Sequence, residues 1–137
     1  MVAENIISNK FIKKITVIVI IQLIIAAAHF FRIGRFFDGQ LYILYYSYFS
    51  DLALPFGFYF LLCGNAQKVP FLRRWTNKAI IVFSAAATAE ILQYFGIYAL
   101  GITFDPVDIL MYGIGVLFAA FVDTQIFPRI FKFWVIE

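Results

Sequence analysis

The chain has 137 residues, of which 64% are hydrophobic and 14% charged, and its formal net charge is +3. Soluble globular chains carry about 45–50% apolar and about 25% charged residues, so this composition, with a mean hydropathy of +0.90, excludes a soluble domain and favours one integral membrane domain over residues 1–137. The single cysteine, Cys63, excludes an intramolecular disulfide framework.

Four apolar segments are long enough to cross a bilayer core of about 30 Å, which takes roughly 17–25 residues in a helix. They are residues 15–31, 41–62, 79–100 and 109–127. Turns rich in Gly, Asn and Asp separate them, and Pro128 is predicted to close the last helix. Short first and third connections predict antiparallel neighbours. The predicted fold class is therefore all-α, an antiparallel bundle of four transmembrane helices.

The basic residues between these segments predict their orientation. Nine Lys and Arg residues lie on the side of the two termini, and two, Arg32 and Arg35, lie on the other. Because cytoplasmic loops carry the excess of basic residues, both termini are predicted to be cytoplasmic. An alternative for the first segment is a signal peptide cleaved after the alanines of residues 26–28. The residues before it either form a short interfacial turn or extend the first helix.

Two acidic residues lie midway along predicted spans, Asp51 in the second and Glu90 in the third. A charge at the bilayer centre costs at least about 2.5–3.5 kcal/mol, so each needs a partner or a function. At similar depths on antiparallel helices they can approach each other, and at least one is then protonated. Gln93 shares the helical face of Glu90. This pair either handles a proton or ligand, or fixes helix packing through hydrogen bonds. The small residues 84–89 are predicted to let another helix approach closely.

Asp105 and Asp108 lie at the start of the fourth segment, where Asp105 precedes a proline and is predicted to cap the helix. The predicted counter-ions on the same outer side are Arg32, Arg35 and His29. Outward-facing carboxylates suit Mg²⁺ or Ca²⁺ poorly here, because Glu90 and Asp108 differ in depth. Neither a metal nor another cofactor is predicted.

One face of the fourth segment is predicted to face the bundle rather than lipid. Its residues are Asp108, Tyr112, Gly115, Ala119 and Asp123. This face is acidic at both ends and small in the middle. Asp123 lies near the inner end, where Lys13, Lys14 or Arg129 is predicted to neutralise it.

The run Glu90-Ile-Leu-Gln93, followed by Thr103-Phe-Asp-Pro-Val-Asp108 and Gly115, resembles the C-terminal signature of the VanZ-like membrane family. Asp51 through Phe56, with Tyr59-Phe-Leu-Leu, is similar to the family's Asp-Lys-x-x-His-Phe segment, and the two matches lie within residues 51–118. The chain departs from the family's lysine, histidine, arginine and asparagine at Leu52, Pro55, Ile102 and Tyr112, respectively. The resemblance implies a small multi-pass protein of the bacterial inner membrane, without an agreed biochemical activity.

The leading functional prediction is a VanZ-like, non-enzymatic cell-envelope protein that binds a lipid-linked or amphipathic molecule in an outward-facing acidic pocket. The residues predicted to line this pocket are Asp51, Glu90, Gln93, Asp105 and Asp108. One alternative is a small proton- or ion-coupled transporter acting as an oligomer, and another is an accessory subunit of a membrane complex. An enzyme is less favoured because no nucleophile–base pair is visible. The predicted partners are the bilayer, an envelope lipid or amphipathic ligand, and a second copy of the chain, but not nucleic acid.

Overall fold

The computed structural model describes residues 2–99, 101 and 103–135, and all regular structure in these residues is helical. The α-helices are α1 (Val2–Phe30), α2 (Gln40–Asn65), α3 (Trp75–Tyr94), α4 (Pro106–Phe121) and the short α5 (Phe127–Ile130). A π-helical turn, Val122–Ile126, joins α4 to α5. Short 3-10 turns, Ile33–Phe36 and Pro70–Arg73, lie in the first two connections. The predicted all-α class is confirmed.

Helix α2 lies at the centre of the bundle, where it packs against α1, α3 and α4, most extensively against α4. Contacts between α1 and α2 join Gln22 to Gly57 and Ile15 to Gly64, so the two helices run in opposite directions. Glu90 of α3 contacts Tyr112 of α4, and Lys78 near the start of α3 contacts Asp123 in the turn after α4. These two helices therefore also run in opposite directions. Helices α1 and α2, and helices α3 and α4, are therefore antiparallel, as the short first and third connections predicted.

Two helical segments of the described chain, Glu4–Phe30 and Pro106–Ile130, are long and apolar enough to cross a membrane by length and composition. Only 11% of the apolar window in the first and 28% of that in the second is buried. Large side chains such as Leu23, Ile24 and Leu117 are more than half exposed. Both segments therefore direct most of their apolar surface away from the bundle.

Helix α1 begins at Val2, so the N-terminal residues extend the first helix instead of forming a separate turn. Helix α3 ends at Tyr94, before the predicted end at Leu100, which lies outside the described residues. Gly96 ends it with a φ of +74°. The Gly96 N–H donates to the Gln93 carbonyl and the Ile97 N–H to the Leu92 carbonyl, each at 2.9 Å. This is the Schellman pattern of a helix C-terminus, which apolar composition alone does not reveal.

The predicted end of the last helix at Pro128 is wrong, because helical structure continues to Ile130. A proline has no N–H to donate, so Pro128 cannot make the usual bond to the carbonyl of Thr124. The wider π turn immediately before α5 accommodates this missing bond. The chain then folds back, and Trp134 packs into the core with 2% of its surface exposed.

Candidate functional site

A cavity of about 560 Å³ lies between α2, α3 and α4, and we call it the acidic cavity. The polar side chains that line it include Gln22, Asp51, Glu90, Gln93, Asp108 and Tyr112. Four of the five residues predicted to form a polar pocket, namely Asp51, Glu90, Gln93 and Asp108, therefore meet at one cavity. Gln22 of α1 was not predicted. It also holds α1 to α2, since its amide donates to the Gly57 carbonyl at 2.9 Å.

The acidic cavity has a polar end and an apolar end. Leu61 and Val82 line the apolar end. Along α2, Asp51 and Leu61 are separated by ten residues, or about 15 Å at 1.5 Å per residue. Ala85, Ala86 and Ala89 of α3 also line the cavity. Their small side chains help to form this open space, and a close approach of another helix at residues 84–89 stays a prediction.

Glu90 and Gln93 hold the connection between α3 and α4 in place. Glu90 is 1% exposed, and its Oε1 accepts the backbone N–H of Asp105 at 2.7 Å. Its Oε2 accepts the hydroxyl of Tyr112 at 3.1 Å. One turn further along α3, the Gln93 amide donates to the carbonyl of Ala99 at 2.7 Å. Both side chains thus bind the connecting segment, and the Glu-x-x-Gln spacing has a structural use.

We expect Glu90→Leu to release the connection between α3 and α4. The change leaves the half-buried Asp105 N–H without this acceptor, and an unsatisfied buried donor costs up to about 1–3 kcal/mol. Glu90→Gln should retain most of the stability because its amide oxygen can still accept that N–H. Hydrogen exchange of residues 95–105, measured by mass spectrometry in mild detergent, should be faster in Glu90→Leu than in wild type and Glu90→Gln. Equal exchange in all three proteins would show that Glu90 does not hold this segment.

Asp51 and Asp108 bring carboxyl groups from α2 and α4 together. Both side chains line the acidic cavity, and their carboxyl groups lie close enough to interact electrostatically. Both acids are half-buried. One turn beyond Asp51, Pro55 has no N–H to donate to the Asp51 carbonyl, so the backbone at this level of α2 is also a free acceptor. Glu90 lines the same cavity and also interacts electrostatically with both of these acids.

Asp105 caps α4, because its Oδ1 accepts the N–H of Val107 at 2.9 Å and Pro106 follows at the first helical position. The predicted cap is confirmed. Asp105 faces the connection more than the cavity, since its backbone N–H is the group that binds Glu90. Its contribution to the site is to set where α4 begins, and hence where Asp108 lies.

Of the predicted counter-ions, His29 contacts a residue of the cavity wall, and none of the three forms an ion pair with an acid of the cavity in the described residues. In His29, Nε2 lies 2.9 Å from the Oγ of Ser50, a residue of the cavity wall, and Nδ1 lies 2.8 Å from the carbonyl of Ile25. The Arg35 guanidinium lies over the Phe36 ring, 5.0 Å from its centroid. Within residues 2–99, 101 and 103–135, neither Arg32 nor Arg35 forms an ion pair with an acid. The acidic cavity thus keeps its carboxyls free of basic partners in this part of the chain.

The predicted partner of Asp123 is wrong. Its Oδ2 lies 2.7 Å from the Nζ of Lys78 and accepts the hydroxyl of Tyr59 at 2.8 Å. Its Oδ1 accepts the indole N–H of Trp134 at 2.8 Å. Lys14 donates instead to the Trp134 carbonyl at 3.3 Å. Lys78 precedes an apolar run and resembles an ordinary lysine that flanks a membrane segment. No sequence pattern therefore indicated this buried ion pair.

The inward-facing surface of α4 agrees with prediction. Gly115 and Ala119 are buried, and Ala119 is completely inaccessible. Asp108 and Tyr112 line the acidic cavity at one end, and Asp123 is buried at the other.

The described residues contain no group of three or more His, Cys, Asp or Glu side chains suited to hold a metal ion. Ile102, which stands where the VanZ-like pattern has arginine, lies outside the described residues. No protein-family model matches the chain, and neither a curated protein nor a solved structure shows a significant match to it.

Proposed function

We propose that the protein is a VanZ-like, multi-pass protein of the bacterial inner membrane that binds an amphipathic molecule in the acidic cavity. One observation carries the proposal: a single cavity of about 560 Å³ has carboxyl groups at one end and hydrocarbon side chains at the other. Binding cavities are typically apolar with a few convergent polar groups that orient the ligand. An amphipathic molecule with a hydrogen-bond-donating head group fits this division.

In this proposal α2 and α3 span the membrane together with α1 and α4. Helix α2 has 26 residues and α3 has 20, which correspond to about 39 Å and about 30 Å. Outward-facing residues such as Leu44 and Ile80 are more than half exposed, which suits contact with lipid. The excess of basic residues at the ends shared by the termini supports cytoplasmic termini. The acidic cavity then has its polar end near the outer surface.

The side chains that line the acidic cavity favour one class of ligand. An ionised carboxyl accepts hydrogen bonds and attracts positive charge, so Asp51 and Asp108 favour an amine or another N–H donor over an anion. The hydrocarbon part of the ligand would lie along Leu54, Phe58 and Leu61. These three side chains are 39–54% exposed, which supports a cavity that opens towards the surrounding lipid. A long-chain amine is therefore the simplest probe of the site.

The test uses a photoreactive long-chain alkylamine, with the alcohol and the carboxylic acid of the same chain length for comparison. We expect the amine to label peptides of α2 and α3 that line the acidic cavity. Ala86→Phe should reduce this labelling strongly because the new ring fills the cavity. Asp51→Asn/Asp108→Asn should remove most of the preference for the amine over the alcohol, a factor of roughly ten if about 1.4 kcal/mol is lost.

Two matched variants separate binding from general effects. Ser84→Phe adds the same ring on an exposed face of α3 outside the cavity, and Asp38→Asn removes a carboxylate in the exposed connection after α1. Both should label as wild type does. Equal labelling of wild type and Ala86→Phe, or an equal response to amine, alcohol and acid, would contradict the proposed function.

A further inference from the structure

A second cavity, of about 520 Å³, lies at the opposite end of the bundle from the polar end of the acidic cavity. Its walls come from α1, the end of α2, the start of α3, the π turn and the segment after α5. The cationic side chains that line it are Lys14, Arg73, Arg74 and Lys78, and we call it the basic cavity. Among the described lining residues the acid is Asp123, which leaves the lining with three positive charges in excess.

The carboxylate of Asp123 is already occupied by its own partners. Lys78, Tyr59 and Trp134 all donate to it, at 2.7 to 2.8 Å. The Nζ of Lys78 uses a second hydrogen on the Sγ of Cys63 at 3.3 Å, and an ammonium has a third to give. The ion pair of this carboxylate is therefore the one with Lys78, and one negative charge cannot offset four cations.

The remaining cations of the basic cavity, Lys14, Arg73 and Arg74, form no ion pair within the described residues. Lys14 is half-buried, and its ammonium lies 3.3 Å from the carbonyl of Trp134 and 4.7 Å from the centre of that indole ring. Arg73 and Arg74 are exposed, and neither forms an ion pair in the part of the chain that the structure describes. These three cationic residues line the same cavity, where a bound anion would offset their mutual repulsion.

The first turn of α3 supplies further donors to the same space. Trp75 and Thr76 line the basic cavity, and the residue before them, Arg74, makes no side-chain cap to the helix. The first N–H groups of a helix have no partner within the helix, and the helix dipole favours negative charge there. Guanidinium, ammonium and backbone N–H donors together suit the oxygens of a phosphate group.

The rim of the basic cavity is apolar. Ile7, Trp75 and Val135 line it and are 45–56% exposed. We propose that the basic cavity binds a phosphate group, and the apolar rim assigns that group to an anionic phospholipid whose acyl chains lie along it. Basic pockets between membrane helices on the cytoplasmic side are suited to such head groups. The inference is independent of the acidic cavity and its ligand.

The chain provides its own reporters for the test. Both of its tryptophans, Trp75 and Trp134, line the basic cavity. The full chain is reconstituted in phosphatidylcholine vesicles with increasing amounts of dibrominated phosphatidylglycerol, whose bromine atoms quench tryptophan fluorescence on contact. A parallel series uses dibrominated phosphatidylcholine. A third series adds sodium phosphate to vesicles of phosphatidylcholine alone, which distinguishes a free phosphate from a lipid head group.

We expect half-maximal quenching at a mole fraction of the brominated phosphatidylglycerol roughly tenfold lower than that of the brominated phosphatidylcholine. Arg73→Gln/Arg74→Gln should remove most of this difference. The matched control, Arg129→Gln/Lys132→Gln, removes two charges from the same end of the bundle but outside the cavity, and should keep it. Both arginines of the first pair are exposed, so folding should be retained, which circular dichroism checks.

Each outcome decides a different part of the inference. Selective quenching that depends on Arg73 and Arg74 supports a phospholipid site. A change in tryptophan emission with sodium phosphate, absent in the variant and combined with equal quenching by the two lipids, supports the phosphate site but overturns the lipid assignment. The inference is overturned if neither lipid charge nor phosphate has an effect, or if the control pair loses the preference equally.

Discussion

Asp123→Asn is expected to lower the free energy of unfolding by about 3–5 kcal/mol, because the ammonium of Lys78 would stay buried without its counter-ion. The side chains of Lys78 and Asp123 are 4% and 9% exposed, and their charged atoms are 2.7 Å apart. Asparagine keeps the size of the side chain, and its amide oxygen can still accept the indole N–H of Trp134. The expected loss of stability therefore reflects the missing negative charge more than any change in side-chain size.

A second substitution distinguishes charge burial from simple loss of contacts. Lys78→Met/Asp123→Asn removes both charges, and replacing a buried ion pair by neutral groups is often close to neutral in stability. We expect the double variant to be more stable than Asp123→Asn, although it has fewer hydrogen bonds. Thermal unfolding in mild detergent measures both proteins. Asp38→Asn, the same change in an exposed connection, should have little effect.

The interaction energy between Lys78 and Asp123 decides whether the two residues act as a buried ion pair. Residues in direct contact show interaction energies of about 0.5–3 kcal/mol in a double-mutant cycle. If the effects of Lys78→Met and Asp123→Asn simply add, the pair does not act as a buried ion pair. The fluorescence of Trp134 gives an independent readout, since Asp123→Asn removes the negative charge that lies at its indole N–H. Its emission should change in Asp123→Asn but not in Asp38→Asn.

The existence and order of the four main helices were predictable because they depend on local composition. Long apolar runs and the turn residues between them place both ends of α2, the end of α1 and the start of α4 to within about three residues, whereas α1 begins at Val2 and not at the predicted residue 15. The end of α3 was not predictable from hydropathy, because residues 95–100 remain apolar after Gly96 has ended the helix. A π turn depends on how Pro128 and the core are accommodated together, which no periodic pattern signals.

The membership of the acidic cavity was predictable, whereas its contacts were not. An acid in an apolar segment is conspicuous, so Asp51, Glu90 and Asp108 stood out from the sequence. Which acid contacts which depends on helix rotation and separation, and these are set by packing at positions such as Gly115. The same limit explains the missed partner of Asp123. Lys78 lies 45 positions earlier in the chain, and only the folded bundle brings its ammonium to that carboxylate.

Gly115→Ala is expected to force α2 and α4 apart. A Cβ atom at this position would lie 2.5 Å from the backbone oxygen of Leu52 and 3.2 Å from its carbonyl carbon. A backbone atom cannot rotate away as a flexible side chain can, so α2 and α4 must move apart. Their contact is the most extensive one between helices of the bundle. Overpacking of this kind costs about 1–3 kcal/mol. Asp51 adjoins Leu52, so the separation should also pull the carboxyls of Asp51 and Asp108 apart.

Gly113→Ala is the matched control, two positions away on the same helix. Its Cβ atom would meet the ring of Phe83 at 3.5 Å, which is ordinary contact. Alanine favours an α-helix over glycine by about 0.8–1 kcal/mol, so Gly113→Ala should be as stable as wild type or more stable. We therefore expect the unfolding temperatures of the two variants, measured in the same detergent, to shift in opposite directions relative to wild type. If Gly115→Ala unfolds at or above the temperature of Gly113→Ala, α2 and α4 do not approach through Gly115, and the position of Asp108 beside Asp51 needs another cause.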